Sequence, residues 1–74
     1  MEQIPITKIL ANNIKNRRAQ LGLTQEQLSE RMDVSWLSIA LIETQKRWVS
    51  PEMLEKIAAA LRCSEKDLFD RGFL

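Results

Sequence analysis

Histidine is missing from this chain, cysteine occurs once, and proline and glycine occur twice each. A lone thiol forms no internal disulfide, and without histidine the commonest biological metal ligand and general base is absent. So few breakers argue against a linker, a collagen-like array or a disordered tail. Charge of one sign is also scarce: eleven basic residues stand against ten acidic ones, a net charge of +1. That excess supplies no global attraction for a polyphosphate, so any affinity for nucleic acid has to come from a local group of cations. There is no N-terminal leader pattern and no apolar run near the roughly 18 residues of a membrane span, so a soluble, cytoplasmic protein is expected.

What is present is apolar and helix-forming. Residues of apolar type make up 45% of the 74, and Leu, Ile, Ala, Glu, Lys and Gln dominate. A chain of this length supports one domain, expected over 1–74, with too little interior for an active-site cavity. No internal repeat or low-complexity segment interrupts it.

Leu10, Ile14 and Leu21 recur at helical spacing from Thr7 to Leu21, with Ile6 and Ile9 able to extend the same face, and Gly22 is placed to end that helix. Thr24 and Gln27 form a capping-box pair for a short second helix that would bury Leu28 and Met32. Asp33-Val34 predicts a tight turn with Asp33 in the left-handed region, and Ser35 caps a third helix. At about 100° per residue, Ile39, Ile42 and Glu43 fall on one side of it, and Leu37, Ala40, Leu41 and Thr44 on the other, with Trp36 at the flank. A loop from Gln45 to Val49 carries Lys46 and Arg47. Ser50-Pro51 then starts a fourth helix with Leu54, Ile57, Ala58 and Leu61 inward. Ser64 and Asp67 open a last helix through Leu68 and Phe69, leaving Arg71-Gly72-Phe73-Leu74 as a docked or frayed end.

Arg18, Gly22-Leu23-Thr24-Gln25, Gln27-Leu28, Val34-Ser35, Ile39, Ile42-Glu43, Lys46-Arg47 and the helix from Ser50 to Leu61 together resemble the phage repressor and Cro family of helix-turn-helix domains. The likeness spans 10–69 without a gap. It implies an all-α, five-helix lambda-repressor-like fold, a transcriptional regulator with no enzymatic activity and no cofactor, and duplex DNA as partner, bound through helices two and three. By the same resemblance Gln25 would hold the DNA backbone, Lys46 and Arg47 would approach phosphates, and Arg18 and Glu43 would tie helix one to helix three by a structural salt bridge. Cys63 takes a position usually apolar in the family, so it is expected to be a small packed residue rather than a reactive thiol.

The chain departs from the family where the family reads bases. Those positions hold Trp36, Leu37 and Leu41, with Ala40 and Thr44 beside them. Apart from the Thr44 hydroxyl, none has the side-chain donors or acceptors that Arg, Gln and Asn offer to base edges. Asp33, Gln45 and Arg62 also stand where the family commonly has glycine. If Gln45 lets helix three run on, Trp48 joins Leu37 and Leu41 in one apolar stripe of about three turns, on the order of several hundred Å². Two readings follow. One is a DNA-binding regulator. The other is a protein-binding module on a repressor-like scaffold, natural or engineered, or a homodimer, using Trp36, Leu37, Ala40, Leu41 and Trp48.

Overall fold

The computed structural model describes residues 4–72. The chain forms α1 (Ile6–Gln20), α2 (Gln25–Met32), α3 (Trp36–Glu43), α4 (Pro51–Ala60) and a C-terminal 3-10 turn (Lys66–Phe69). There is no strand among the described residues, so the domain is all-α. No helix among them is long and apolar enough to cross a membrane. Phe73 and Leu74, expected as part of a terminal tail, lie outside the described residues.

Local chemistry accounts for the helix starts. The Thr24 hydroxyl accepts from the Gln27 amide at 3.0 Å while the Gln27 side chain accepts from the Thr24 amide at 2.9 Å, a reciprocal capping box that opens α2. Ser35 caps α3 through the Ser38 amide, and Ser50 caps α4 through the Met53 amide with Pro51 next in line. All four helices end in the same way, on a left-handed residue: Gly22 (φ 68°), Asp33 (54°), Gln45 (65°) and Arg62 (57°). After α1, the Gly22 amide donates to the Ala19 carbonyl and the Leu23 amide to the Arg18 carbonyl. These are the paired bonds of a Schellman stop, and the same pairs recur after α2, α3 and α4.

One apolar cluster joins the elements. Leu10 and Ile14 of α1, Leu28 and Met32 of α2, Ile39 and Ile42 of α3, Ile57 and Ala58 of α4, and the flanking Leu23, Val49, Leu61 and Leu68 are all buried in it. Ile6 does not extend this face: it is 50% exposed although its angle on the helix matches Ile9 and Leu10. Its position in the first turn of α1 leaves it beyond the packed stripe.

The expected fifth helix is a single 3-10 turn. Ser64 and Asp67 do cap one another, with the Asp67 amide donating to the Ser64 hydroxyl at 3.2 Å and the Ser64 amide donating to Asp67 Oδ2 at 3.0 Å. The turn stops because Asp70 is extended and the side-chain amide of Asn13 takes the Leu68 and Asp70 carbonyls, at 2.9 and 2.7 Å. A longer α-helix would need the Leu68 carbonyl for its own ladder. Leu68 is nonetheless fully buried, so four residues suffice to close that side of the core.

Candidate nucleic-acid interface

α2 and α3 pack around the Asp33-Val34 turn, and a chain of polar side chains ties both to α1. Glu43, on the inner side of α3, is 1% exposed. Its carboxylate accepts from Arg18 Nε and Nη2, each at 2.9 Å, and the remaining Arg18 fork donates to the Leu23 carbonyl at 2.9 Å. Glu43 also accepts from the Gln25 side-chain amide at 3.0 Å. The Gln25 carbonyl oxygen in turn accepts from the indole N–H of Trp36 at 3.0 Å. A buried charge is tolerated where it is paired and fully hydrogen-bonded, and among the described residues no buried side-chain polar atom is left without a partner.

This chain of bonds places Gln25 in the first turn of α2 against the first residue of α3. One N–H of its amide faces Glu43, and the α2 N-terminus beside it offers partial positive charge. On the other side of α3, the Arg47 guanidinium donates to the Ser38 hydroxyl at 3.3 Å. Lys46 and Arg47 are both exposed. Gln25 and Arg47 are therefore moored to the same first turn and a half of α3, one through Trp36 and one through Ser38.

The outward side of α3 holds Trp36 and Leu37, 50% and 54% exposed, with Ala40 and Leu41 partly covered and Thr44 exposed at the helix end. Its polar atoms turn back into the protein. The Trp36 N–H goes to Gln25, the Thr44 hydroxyl donates to the Ala40 carbonyl at 2.8 Å, and the Ser38 hydroxyl sits between Ser35 and Arg47. The Trp36, Ser38 and Thr44 polar groups of α3 thus each have a partner within the protein.

Trp48 is not part of that face. Gln45 adopts φ 65° and the Lys46 amide bonds the Leu41 carbonyl at 2.8 Å, so α3 stops and the chain turns away. Trp48 packs against Phe69 of the 3-10 turn instead, ring centroids 6.3 Å apart and planes at 43°. The stripe of three turns is thus reduced to the two turns from Trp36 to Leu41. The cause is the left-handed Gln45, which closes α3 as glycine would despite its side chain.

Two contributors were missed in the sequence. Arg17 donates from Nε to the Leu61 carbonyl at 3.1 Å and from Nη2 to the Arg62 carbonyl at 2.9 Å, so α1 covers the negative end of α4. Asn13, one turn earlier on α1, does the same for the 3-10 turn. Their four-residue spacing was the available signal. Cys63 packs half-buried against the core, and burial raises its thiol above the ordinary value, with the nearby Arg17 acting in the opposite sense. A thiol so placed stays protonated at neutral pH.

The arrangement resembles known regulators along nearly its whole length. A hypothetical transcription factor, NHTF from Neisseria, superimposes with a TM-score of 0.85 over 95% of this chain and 85% of its own, at 23% identity, a likeness of fold. The restriction-modification controller protein C.AhdI from Aeromonas hydrophila is 25% identical with a TM-score of 0.81, over 85% of this chain and 96% of its own. The clp gene regulator ClgR from Corynebacterium glutamicum is 27% identical with a TM-score of 0.83, over 90% of this chain and 71% of its own. No curated protein matches the sequence. The family model for helix-turn-helix domains, HTH_3, matches residues 14–68, and with that match over most of its length the chain belongs to the XRE-type helix-turn-helix family, which is not a family of enzymes.

Proposed function

We propose that this domain, a single unit over 1–74, is the DNA-binding part of a transcriptional regulator of the phage-repressor type, and that it grips duplex DNA through α2 and α3. The observation that carries this reading is the mooring of both phosphate-directed groups to α3: Gln25 through Trp36, and Arg47 through Ser38. Side chains fixed in this way set the depth and angle of a helix in the major groove, while the helix itself faces the bases. Gln25 and the amides of the α2 N-terminus take one phosphate; Lys46 and Arg47 take phosphates beyond α3. Arg18 and Glu43 hold α3 at its angle and do not touch the DNA.

The measurement is titration into duplex DNA of unrelated sequence at low and moderate salt. Binding that weakens with salt is expected, and replacing Lys46 and Arg47 together by Ala should reduce the magnitude of the log–log salt slope by about 2, close to one unit per cation. Absence of binding at low salt would refute the reading.

A second reading rests on the exposure of Trp36 and Leu37. The same face would then join a second copy or another protein as a helix laid in a groove. Trp36→Ala would dissolve that association, seen by sedimentation, with no dependence on DNA.

A further inference from the structure

We infer that α3 reads DNA chiefly through thymine C5-methyl groups, with few or no hydrogen bonds to base edges. This rests on the DNA-binding reading above and specifies what the same face recognises. The outward groups of α3 are the indole of Trp36, the side chains of Leu37 and Leu41, and the methyl of Ala40. The polar atoms among them are already engaged within the protein. Trp36 donates to Gln25, Thr44 to the Ala40 carbonyl, and Ser38 shares its hydroxyl with Ser35 and Arg47. The outward side chains of α3 itself include no Arg, Asn or Gln to donate to guanine O6 and N7 or to adenine N7, and its indole N–H and hydroxyls already have partners in the protein.

The major groove offers one apolar feature, the methyl at C5 of thymine. It projects into the groove from the pyrimidine, so a leucine can cover it while the adenine edge of the same pair keeps its water. The Gln25 bond matters here, because it takes up the only polar atom of Trp36 and turns a side chain that would otherwise lose a hydrogen bond in the groove into an apolar wall. The local charge favours a polyanion as the occupant. Lys46 and Arg47 are exposed on the segment that follows α3, the Arg47 guanidinium reaches back to Ser38, and the N-terminus of α2 adjoins the first residue of α3, so cations and a helix N-terminus border the apolar strip. The expected operator therefore carries two or more thymines in succession or on facing strands within each half-site.

The test uses the whole chain and the duplex sequence it selects from a random pool. Replacing thymine by uracil in that duplex removes the methyl and leaves every base-pairing and hydrogen-bonding group in place. Each such replacement under α3 should weaken binding about fourfold, the worth of one buried carbon group. A second duplex changes a contacted thymine–adenine pair to cytosine–guanine, and a third to 5-methylcytosine–guanine. The methylated pair should recover most of the affinity that the unmethylated pair loses. Leu37→Ala should reduce the preference for thymine over uracil at the thymine it covers and leave the preference at the others, and its far-ultraviolet circular dichroism should remain that of the parent.

Equal affinity for the thymine and uracil duplexes would overturn the inference and leave the DNA-binding reading standing. Loss of affinity for both cytosine pairs alike would also overturn it, since recognition would then lie in the adenine edge. Failure to bind any duplex at low salt would refute the DNA-binding reading and this inference with it. The three results are distinct.

Discussion

Arg18 and Glu43 meet in a two-pronged ion pair, both hydrogen bonds 2.9 Å, with the carboxylate 1% exposed and the guanidinium side chain 19% exposed. The geometry spans α1 and α3 and fixes the helix that faces outward. Removing one partner leaves the other buried and unpaired, a more costly state than the loss of the attraction itself. Arg18→Ala should therefore destabilise the fold by about 3 kcal/mol, measured by urea unfolding, and salt should change that loss little. The double replacement Arg18→Met with Glu43→Leu should be less harmful than Arg18→Ala, because no charge remains in the core. If the double variant is the less stable one, the pair contributes net attraction well beyond its desolvation.

The left-handed residues that close α1 to α4 provide a second experiment. Gln45 and Arg62 hold φ 65° and 57° with ordinary side chains, where a Cβ costs roughly 1 kcal/mol relative to glycine. Gln45→Gly and Arg62→Gly should each raise the melting temperature by about 4–8 °C. Asp33→Gly should gain less, since Asp tolerates this region better than most. Gly22→Ala should lose a comparable amount: an added Cβ meets nothing within 4 Å, so the cost is conformational alone.

Much of this architecture is legible because its determinants are close in sequence. Thr24 with Gln27, Ser35, and Ser50 with Pro51 each cap a helix three residues away at most, and the 3.6-residue period points Ile39 and Ile42 inward before any packing is known. The stop after α3 is a local feature too, but its residue is the wrong type: Gln45 takes the position of a glycine, and sequence left open whether α3 ran on to Trp48. What is not legible depends on separation. Asn13 and Arg17 bond carbonyls 44 to 57 residues away, and the Trp36–Gln25 bond exists only once α2 and α3 have docked. The apolar character of the outer α3 face was readable residue by residue; the inward engagement of its hydroxyls and indole was not.

The two tryptophans should separate cleanly in mutagenesis. Both are half-exposed, but Trp36 is on the outward side of α3, whereas Trp48 makes a tilted contact with Phe69 at the opposite end of the Lys46-Arg47 loop. Trp48→Ala should lower stability by about 1–2 kcal/mol through lost burial and ring contact, with duplex affinity changed less than twofold. Trp36→Ala, at an equally half-exposed indole, should cost no more stability than Trp48→Ala and weaken duplex binding at least tenfold. Quenching of intrinsic fluorescence on adding DNA should survive Trp48→Phe and disappear in Trp36→Phe.

Strong acid should remove one support of the C-terminal turn. The Asp67 carboxylate accepts the Ser64 amide, and that backbone hydrogen bond, followed by the Ser64 hydroxyl bond, holds it below the ordinary aspartate value. A carboxyl whose folded value is depressed stabilises the fold fully above its unfolded pKa and loses that contribution as pH falls through the folded one. The contribution is thus complete at neutral pH and decays on the acid side of the usual carboxylate range. Comparing unfolding free energies of the parent and Asp67→Ala from neutral to strongly acid pH should show a gap that narrows as the carboxyl protonates. A gap that stays constant would mean that Asp67 acts through packing or helix propensity, and that the Ser64 cap owes nothing to the ionised carboxylate.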